Sequence, residues 1–299
     1  MSTTLSRDIS FHVRYFLLLA AALLFWGANW TVMKISLAHS TPLWIAGVRF
    51  LLGSALLFAI VAARHGIAWP SRADMPIVFS VGWLQMLGNG ALVIFGLRYV
   101  PPGRSAVLAY TTPLWVTPLA LLLGERPSPR KLGGTALGLA GMALLFNPLS
   151  IDWHDDSIVL GQILLLAAAL AWSICIVHIR GHRWHASPLQ LAPWQMLLAA
   201  VPLLLAAWLF DGPVPGDFSP AYCATTLYIG LVATAFCYWA VTEANRRLSA
   251  TTTSNALLAV PVIGLTVSAL VTGERMDASL IVGLLMMLAG IAIVASAER

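Results

Sequence analysis

Long apolar runs alternate with short polar connectors along the whole chain. Each run is close to the roughly 20 residues that an α-helix needs to cross a hydrocarbon core of about 30 Å. The runs lack the period-two alternation of β-barrel strands, so helices are predicted. The ten runs cover residues 15–36, 43–63, 75–97, 103–123, 131–147, 158–179, 189–210, 219–241, 250–272 and 278–297. The pattern predicts an all-α integral membrane protein, with residues 1–299 forming a single membrane domain.

Composition supports a chain folded in lipid rather than in water. Of its 299 residues, 59% are hydrophobic and 10% are charged. Soluble domains carry about 45–50% apolar residues and about 25% charged residues. The net charge of +5 comes without a basic run, which argues against nucleic acid as a partner. Cys175, Cys223 and Cys237 lie in or beside apolar segments at no metal or disulfide spacing. No metal and no cofactor are therefore predicted.

The basic residues of the connectors predict the orientation of the spans, because Lys and Arg accumulate on the cytoplasmic side. With the N-terminus inside, the opposite side holds only Arg98, Arg104 and Arg275. The cytoplasmic side holds Arg7, Arg14, Arg64, Arg72, Arg126, Arg130, Lys131, Arg180, Arg183, Arg246, Arg247 and Arg299. Both termini are therefore predicted to be cytoplasmic, in a multi-pass protein of the bacterial inner membrane.

Several motifs recur in order at an offset of 146–149 residues. They are LLLAAAL (residues 17–23 and 164–170), the proline that opens the second and seventh spans (Pro42, Pro188), GER (124–126 and 273–275) and the glycines beyond it (Gly134 and Gly141, then Gly283 and Gly290). The repeat unit contains five spans, an odd number, so the second copy must enter the membrane from the opposite side. The sequence predicts two inverted five-helix repeats, residues 15–147 and 158–297, an arrangement common in transporters that alternate access.

With these features the chain resembles the drug/metabolite transporter superfamily, specifically its EamA-type members. The resemblance rests on the ten spans, the repeated P…GE(R)…G…G ending and a Trp in the first span of each half, and it covers residues 15–297. Within the family, the LLFWGANW segment and the aromatic-rich spans are most similar to bacterial exporters of amino acids, including aromatic ones. The resemblance implies a central cavity between the halves, lined by spans one, three, four, six, eight and nine.

Polar and aromatic side chains within the spans are the candidates for this cavity. Amides lie near the middle of three spans, and aromatic rings lie at similar depths, a combination that suits a neutral or zwitterionic, partly apolar solute. For each amide, an ordinary interhelical hydrogen bond is the alternative interpretation. The predicted substrate-binding residues are Trp26, Asn29, Trp30, Gln85, Asn89, Tyr110, Trp172, Tyr228, Tyr238 and Asn255.

Arg49 is the main ionisable candidate because charged residues inside spans are costly and are often functional. It is expected to contact a substrate carboxylate or to gate the outer mouth; the alternative is that it caps carbonyl groups or pairs with a loop Asp. Its counterpart in the repeat is Gln195. No Asp or Glu lies deep in a span, which favours facilitated diffusion or exchange over proton antiport through a carboxylate.

Proline and glycine positions predict which spans bend and which pack closely. Pro113 and Pro118 interrupt the fourth span and Pro261 the ninth, so these two spans are the predicted hinges. The glycine rows of the fifth and tenth spans predict close packing, against the rest of each half or between the protomers of a possible homodimer. Glu125 and Glu274 are expected to order the turn between the last two spans of each half.

The sequence predicts a secondary transporter that exports small metabolites, amino acids with aromatic or hydrophobic side chains in particular. Transport of other neutral solutes, such as nucleobases, vitamins or amphipathic drugs, is the alternative. The chain has no Walker A motif, which argues against an ATP-driven pump, and no H-E-x-x-H or paired intramembrane Asp, which argues against an enzyme. A passive channel remains a third class, because channels also contain inverted repeats.

Overall fold

The computed structural model describes residues 2–122, 124, 128–146, 156–247 and 256–296. Within these residues every predicted span is represented by helix, and six helices are long and apolar enough to cross a membrane. The first five spans contain the helices Ser2–Ser36, Pro42–His65, Met75–Tyr99, Pro102–Ala109 with Thr112–Leu122, and Pro129–Phe146. The last five contain Asp156–Gly181, Pro188–Phe210, Pro220–Leu227 continuing through residue 247, Ala259–Thr272 and Ala278–Ser296.

Helix starts follow local sequence signals. Thr41 and Ser187 cap the second and seventh spans through their side chains, and each is followed by a proline at the first helical position. Ser187 forms a capping box with Gln190, whose backbone N–H donates to the serine while its side chain accepts from the cap. Because the two caps occupy the same place in each half, the spans after them begin in the same register.

Two equivalent spans depart from regular α-helix. The third span is π-helical over Val81–Gly88, and the eighth is π-helical over Tyr228–Phe236. Their first residues are 147 positions apart, which matches the offset of the sequence repeat. π-helical stretches are rare and are frequent at functional sites. The shared distortion therefore belongs to the repeated unit and not to one half alone.

The fifth and tenth spans pack directly against each other through glycine. A Cβ on Gly134 would lie 2.9 Å from the carbonyl oxygen of Gly290, and one on Gly141 would lie 2.7 Å from that of Gly283. Gly283 and Gly290 are the repeat counterparts of Gly134 and Gly141, so the contact is reciprocal and the spans run antiparallel. The glycine rows therefore join the two inverted halves of one chain, instead of packing within a half or between protomers as expected.

Spans two and seven form a second antiparallel pair across the halves. Gly47 lies against Leu204, Gly53 against Met196, and the Ser54 hydroxyl donates to the Pro193 carbonyl at 2.8 Å. Other contacts also follow the repeat: the first span packs on the ninth and eighth, as the sixth packs on the fourth and third. In the described residues the helices form ten spans, arranged as two inverted repeats of five.

The turn glycines that end the fourth and ninth spans have left-handed backbone conformations. Gly124 has φ +84° and Gly273 has φ +69°, a region in which a residue with a Cβ is strained. After Gly273, the carboxylate of Glu274 accepts the backbone N–H groups of Gly103 at 2.8 Å and Arg104 at 3.1 Å. Glu274 therefore caps the amino end of the fourth span, in the other half, instead of acting only within its own turn. Glu125 lies outside the described residues.

Candidate functional site at the broken spans and the outer cleft

The fourth and ninth spans are both broken at equivalent points. The fourth turns at Tyr110, between Pro102–Ala109 and Thr112–Leu122, and the ninth turns at Leu258, before Ala259–Thr272. The two turns are 148 positions apart. Discontinuous helices in corresponding positions of two inverted halves are typical of secondary transporters, where they form the substrate site.

Hydroxyl groups stabilise the break in the fourth span. Thr111 Oγ1 donates to the Leu108 carbonyl at 2.7 Å, and Thr112 Oγ1 donates to the Ala109 carbonyl at 2.8 Å. From the sixth span, Ser173 Oγ donates to the Thr112 carbonyl at 2.9 Å. Backbone groups freed by a broken helix must be bonded in an environment without water, and these side chains do so.

The predicted hinge prolines lie just beyond these turns. Pro113 is the second residue of Thr112–Leu122, so it begins a helix segment, and the break falls before it at Tyr110 and Thr111. Pro118 lies inside the same helix. Pro261 is buried near the start of Ala259–Thr272. Their role as hinges stays a prediction, but each broken span carries a proline three residues after its turn.

Aromatic side chains surround the turn of the fourth span. The rings of Tyr110 and Trp172 meet edge to face with centroids 6.3 Å apart. Trp26 is half-buried and donates its indole N–H to the Ala233 carbonyl in the π-helical part of the eighth span, at 2.6 Å. Trp30, one turn further, is buried with 7% of its surface exposed. Spans one, four and six thus contribute rings at this level, and the eighth span contributes a backbone carbonyl group.

The amide side chains predicted for the site differ in whether they have hydrogen-bond partners. Asn89 Nδ2 donates to the Ala168 carbonyl at 3.0 Å, which is an ordinary interhelical hydrogen bond, and Gln85 Oε1 lies 3.7 Å from the Cys175 sulfur. Both therefore face the sixth span. Asn29 is buried, and its Oδ1 has no hydrogen-bond partner among the described residues.

Two of the remaining candidates, Tyr228 and Tyr238, lie in the eighth span. Tyr228 donates its hydroxyl to the Phe25 carbonyl at 2.9 Å and meets the Phe25 ring edge to face, so its polar group is used between the first and eighth spans. Tyr238 is half-buried in the apolar core. Asn255 lies outside the described residues.

Arg49 lines a small cleft near the outer ends of the first and second spans, with room for about one water molecule. Its Nε donates to Thr234 Oγ1 at 3.2 Å, its Nη1 lies 3.5 Å from the Met33 sulfur, and its guanidinium stands 4.9 Å from the centre of the Phe50 ring. Within the described part of the chain it has neither a carboxylate nor a carbonyl partner. The cleft is lined by Ser36, Ser40, Trp44, Ile45, Val48, Arg49, Tyr222, Thr226 and Ile229.

The connector between spans seven and eight lies across the mouth of this cleft. Asp217 contacts His39 Nδ1 at 2.7 Å, and the hydrogen bond from His39 holds the pKa of Asp217 at about 2. Thr41 donates to Asp211 at 2.5 Å, and the Trp44 indole N–H donates to the Gly212 carbonyl at 3.2 Å. The outer mouth is thus bordered by contacts between the two halves.

The inner end is closed around a buried carboxylate. Asp74 precedes the third span and accepts the backbone N–H groups of His185 at 3.1 Å and Ala186 at 3.0 Å. The His182 ring lies 3.2 Å from the same carboxylate, and Ser71 Oγ donates to it at 2.9 Å. Burial raises the pKa of Asp74, but these hydrogen bonds outweigh it and hold the pKa at about 2.

Sequence reasoning missed the partners of Arg49 and the walls of its cleft. Thr234 and Thr226 lie in the eighth span, far from Arg49 in sequence, and Ser36 and Ser40 border the first connector. The available signal was the occurrence of Thr226 and Thr234, eight residues apart, within an apolar span. Only the packing of the second span on the eighth brings these groups to Arg49.

Comparisons with known proteins agree with this architecture. The model of the EamA-like transporter family matches residues 13–147 and again 159–296. The chain belongs to the EamA-like transporter family. It is a multi-pass protein of the bacterial inner membrane, and family membership indicates transport of a small molecule rather than an enzymatic activity.

Some relatives of this EamA-like transporter are named only as transporters, and others are named as efflux pumps. It is 26% identical to the uncharacterized transporter YoaV of Bacillus subtilis, over 93% of this chain and 96% of the relative. It is also 26% identical to a probable amino-acid metabolite efflux pump of Salmonella typhimurium, over 89% of each chain. One solved crystal structure, 22% identical, superposes with a TM-score of 0.64 over 94% of this chain and 96% of the other, and shows the same fold.

Proposed function

We propose that this protein exports small metabolites that carry a carboxylate, in particular amino acids with aromatic or hydrophobic side chains, by alternating access. The observation that carries the proposal is Arg49. Its guanidinium lines the outer cleft with a hydroxyl, a thioether and an aromatic ring as neighbours. A guanidinium is suited to bind a carboxylate through two parallel hydrogen bonds.

Lys34, a further cation within the described part of the first span, does not compete for this role. Lys34 donates to the carbonyls of Leu97 at 2.6 Å and Arg98 at 2.9 Å, so its charge caps the end of the third span. One guanidinium matches one carboxylate, whereas a phosphorylated solute would require several cations. The aromatic rings of Trp26, Tyr110 and Trp172 supply an apolar surface for the side chain of such a solute.

The fold supplies a route for exchange between the two faces. The fourth and ninth spans are broken at equivalent turns, and the third and eighth share a π-helical stretch, so each half contains the same two departures from regular α-helix. In an inverted pair, exchanging the conformations of the halves converts an outward-facing state into an inward-facing one. The relatives named as efflux pumps support the direction of export.

The test is counterflow in proteoliposomes with labelled phenylalanine and a panel of unlabelled solutes inside. We expect saturable acceleration by preloaded amino acids, and weak acceleration by phenethylamine, which lacks the carboxylate. Arg49→Gln should abolish this preference and lower amino-acid counterflow at least ten-fold, whereas Arg98→Gln, an exposed arginine at the same face, should not.

Other outcomes distinguish the alternatives. Acceleration by nucleobases, vitamins or amphipathic drugs, but not by amino acids, would identify a transporter of neutral solutes. Flux without counterflow would identify a channel. Equal amino-acid counterflow by Arg49→Gln and the unmodified protein would remove Arg49 from the substrate site.

A further inference from the structure

Gln195 of the seventh span is a buried amide whose polar atoms are unpaired among the described residues. Only 1% of its surface is exposed, and neither its Oε1 nor its Nε2 has a hydrogen-bond partner among the residues that the structure describes. Buried amides in membrane proteins are normally bonded, because an unpaired polar group in an apolar environment is costly. A polar group kept in this position points to a bond that forms in another state of the transport cycle.

The packing of the spans makes Gln195 the structural counterpart of Arg49. A Cβ on Gly82 of the third span would lie 3.0 Å from the Leu198 side chain, and a Cβ on Gly230 of the eighth span would lie 2.7 Å from Leu52. These two contacts are repeat equivalents. Gln195 lies three residues before Leu198, and Arg49 lies three residues before Leu52. Each polar residue therefore occupies the same position in its half, seven residues after the proline that opens its span, and the two spans run antiparallel.

Gln195 is enclosed by packed side chains, whereas Arg49 borders the outer cleft. A Cβ on Gly82 would stand 3.1 Å from the Gln195 carbonyl oxygen, so the third and seventh spans are in close contact there. Ser36, which lines the outer cleft, corresponds to His182, which contacts the buried Asp74 at 3.2 Å. The walls are in contact at both ends, and the two sites differ in that Arg49 borders a cleft whereas Gln195 is enclosed.

We infer that Gln195 is the cytoplasmic-side contact for the substrate carboxylate, exposed when the inner mouth opens and the outer one closes. The inference rests on the proposed function. The amide can donate two hydrogen bonds to a carboxylate without a charge of its own. The substrate is therefore bound by a cation at the outer site and by a neutral donor at the inner site, so the two faces should differ in affinity.

Cysteine labelling tests whether the inner site opens. Cys175, Cys223 and Cys237 are first replaced by Ala, and Gln195→Cys, Arg49→Cys and Met196→Cys are made singly. Met196 is the matched control because it is adjacent, 1% exposed and packed against Gly53 of the second span. A membrane-impermeant maleimide is applied to right-side-out and to inside-out vesicles.

We expect Gln195→Cys to react only from the cytoplasmic side, Arg49→Cys only from the outer side, and Met196→Cys from neither. A Gln195→Cys variant that inserts and reacts from neither side, or only from outside, overturns the inference. This result needs no substrate, so it is independent of the substrate class on which the proposed function depends.

Transport kinetics provide the second readout, which also covers a cysteine variant that fails to insert. Gln195→Leu should raise the KM for amino acid on the cytoplasmic side about five-fold and leave the KM on the outer side unchanged. Unchanged KM values on both sides overturn the role in binding. If amino acids produce no counterflow in the unmodified protein, the proposed function fails while the labelling result for Gln195 can still be obtained.

Discussion

Gly290 and Gly134 meet through their main chains: a Cβ on Gly290 would lie 2.6 Å from the Gly134 carbonyl oxygen and 2.5 Å from the Gly138 nitrogen. The two glycines belong to different halves of the chain, so this contact holds the inverted repeats together. Small residues allow helices to approach closely in lipid, where packing and not hydrophobicity drives association.

Replacing Gly290 by a larger residue should separate the tenth span from the fifth. Gly290→Ala is expected to destabilise the protein by about 1–3 kcal/mol, the usual cost of overpacking a tight contact, because main-chain atoms cannot move aside as a side chain can. Thermal unfolding in detergent measures the effect. Gly133→Ala is the control, since a Cβ at Gly133 meets no atom within 4 Å. Equal melting temperatures for the two variants would contradict the contact.

Thr234 should affect transport by positioning Arg49. Its hydroxyl accepts from Arg49 Nε at 3.2 Å and donates to the Ile229 carbonyl at 2.7 Å. Thr234→Val keeps the shape and removes the acceptor, so we expect a loss of about 1 kcal/mol, or a roughly five-fold higher KM for amino acid. Thr266→Val, an exposed threonine whose hydroxyl donates to the Val262 carbonyl, should leave the KM unchanged. A normal KM for Thr234→Val would show that Arg49 needs no such support.

Glu274 should matter for stability and not for substrate selection. Its carboxylate accepts two backbone N–H groups at the start of the fourth span and the hydroxyl of Ser268. Glu274→Gln loses one acceptor and the charge that favours a helix amino terminus, at a cost of about 1–2 kcal/mol. The melting temperature should fall while the ranking of counterflow solutes stays the same. Arg275→Ala, at an exposed neighbour, serves as the control; a changed ranking in Glu274→Gln would indicate a role in the site.

Asp74 should make the stability of the inner end depend on pH. Its pKa is held at about 2, below the ordinary value of 3.8, so its hydrogen bonds stabilise the fold above about pH 4. This contribution is lost as the pH falls from about 4 to about 2. Melting temperatures measured across that range should drop in the unmodified protein. In Asp74→Asn they should be lower at pH 6 and nearly constant below pH 4; a parallel decline in both proteins would show that other groups dominate.

The sequence by itself determined the membrane class, the ten spans and the inverted repeat. Hydrophobic length, Lys and Arg asymmetry and an odd number of spans in each copy are local or additive properties, so they can be read without coordinates. The helix starts at Pro42 and Pro188 were predictable for the same reason. The prolines predicted an interruption of the fourth span at Pro113 and Pro118, whereas the turn lies at Tyr110 and Thr111, before both; their role as hinges stays a prediction.

Only the tertiary structure decided which groups meet. The glycine rows signalled close packing, but a repeating small residue does not name its partner, and the partner was the other half of the same chain. Glu274 caps a helix 170 residues away, and Arg49 is bonded to a threonine 185 residues away. Such contacts depend on the crossing of two inverted halves. For the same reason the difference between Arg49, which borders a cleft, and Gln195, which is enclosed, is a property of the packed state and not of either sequence segment.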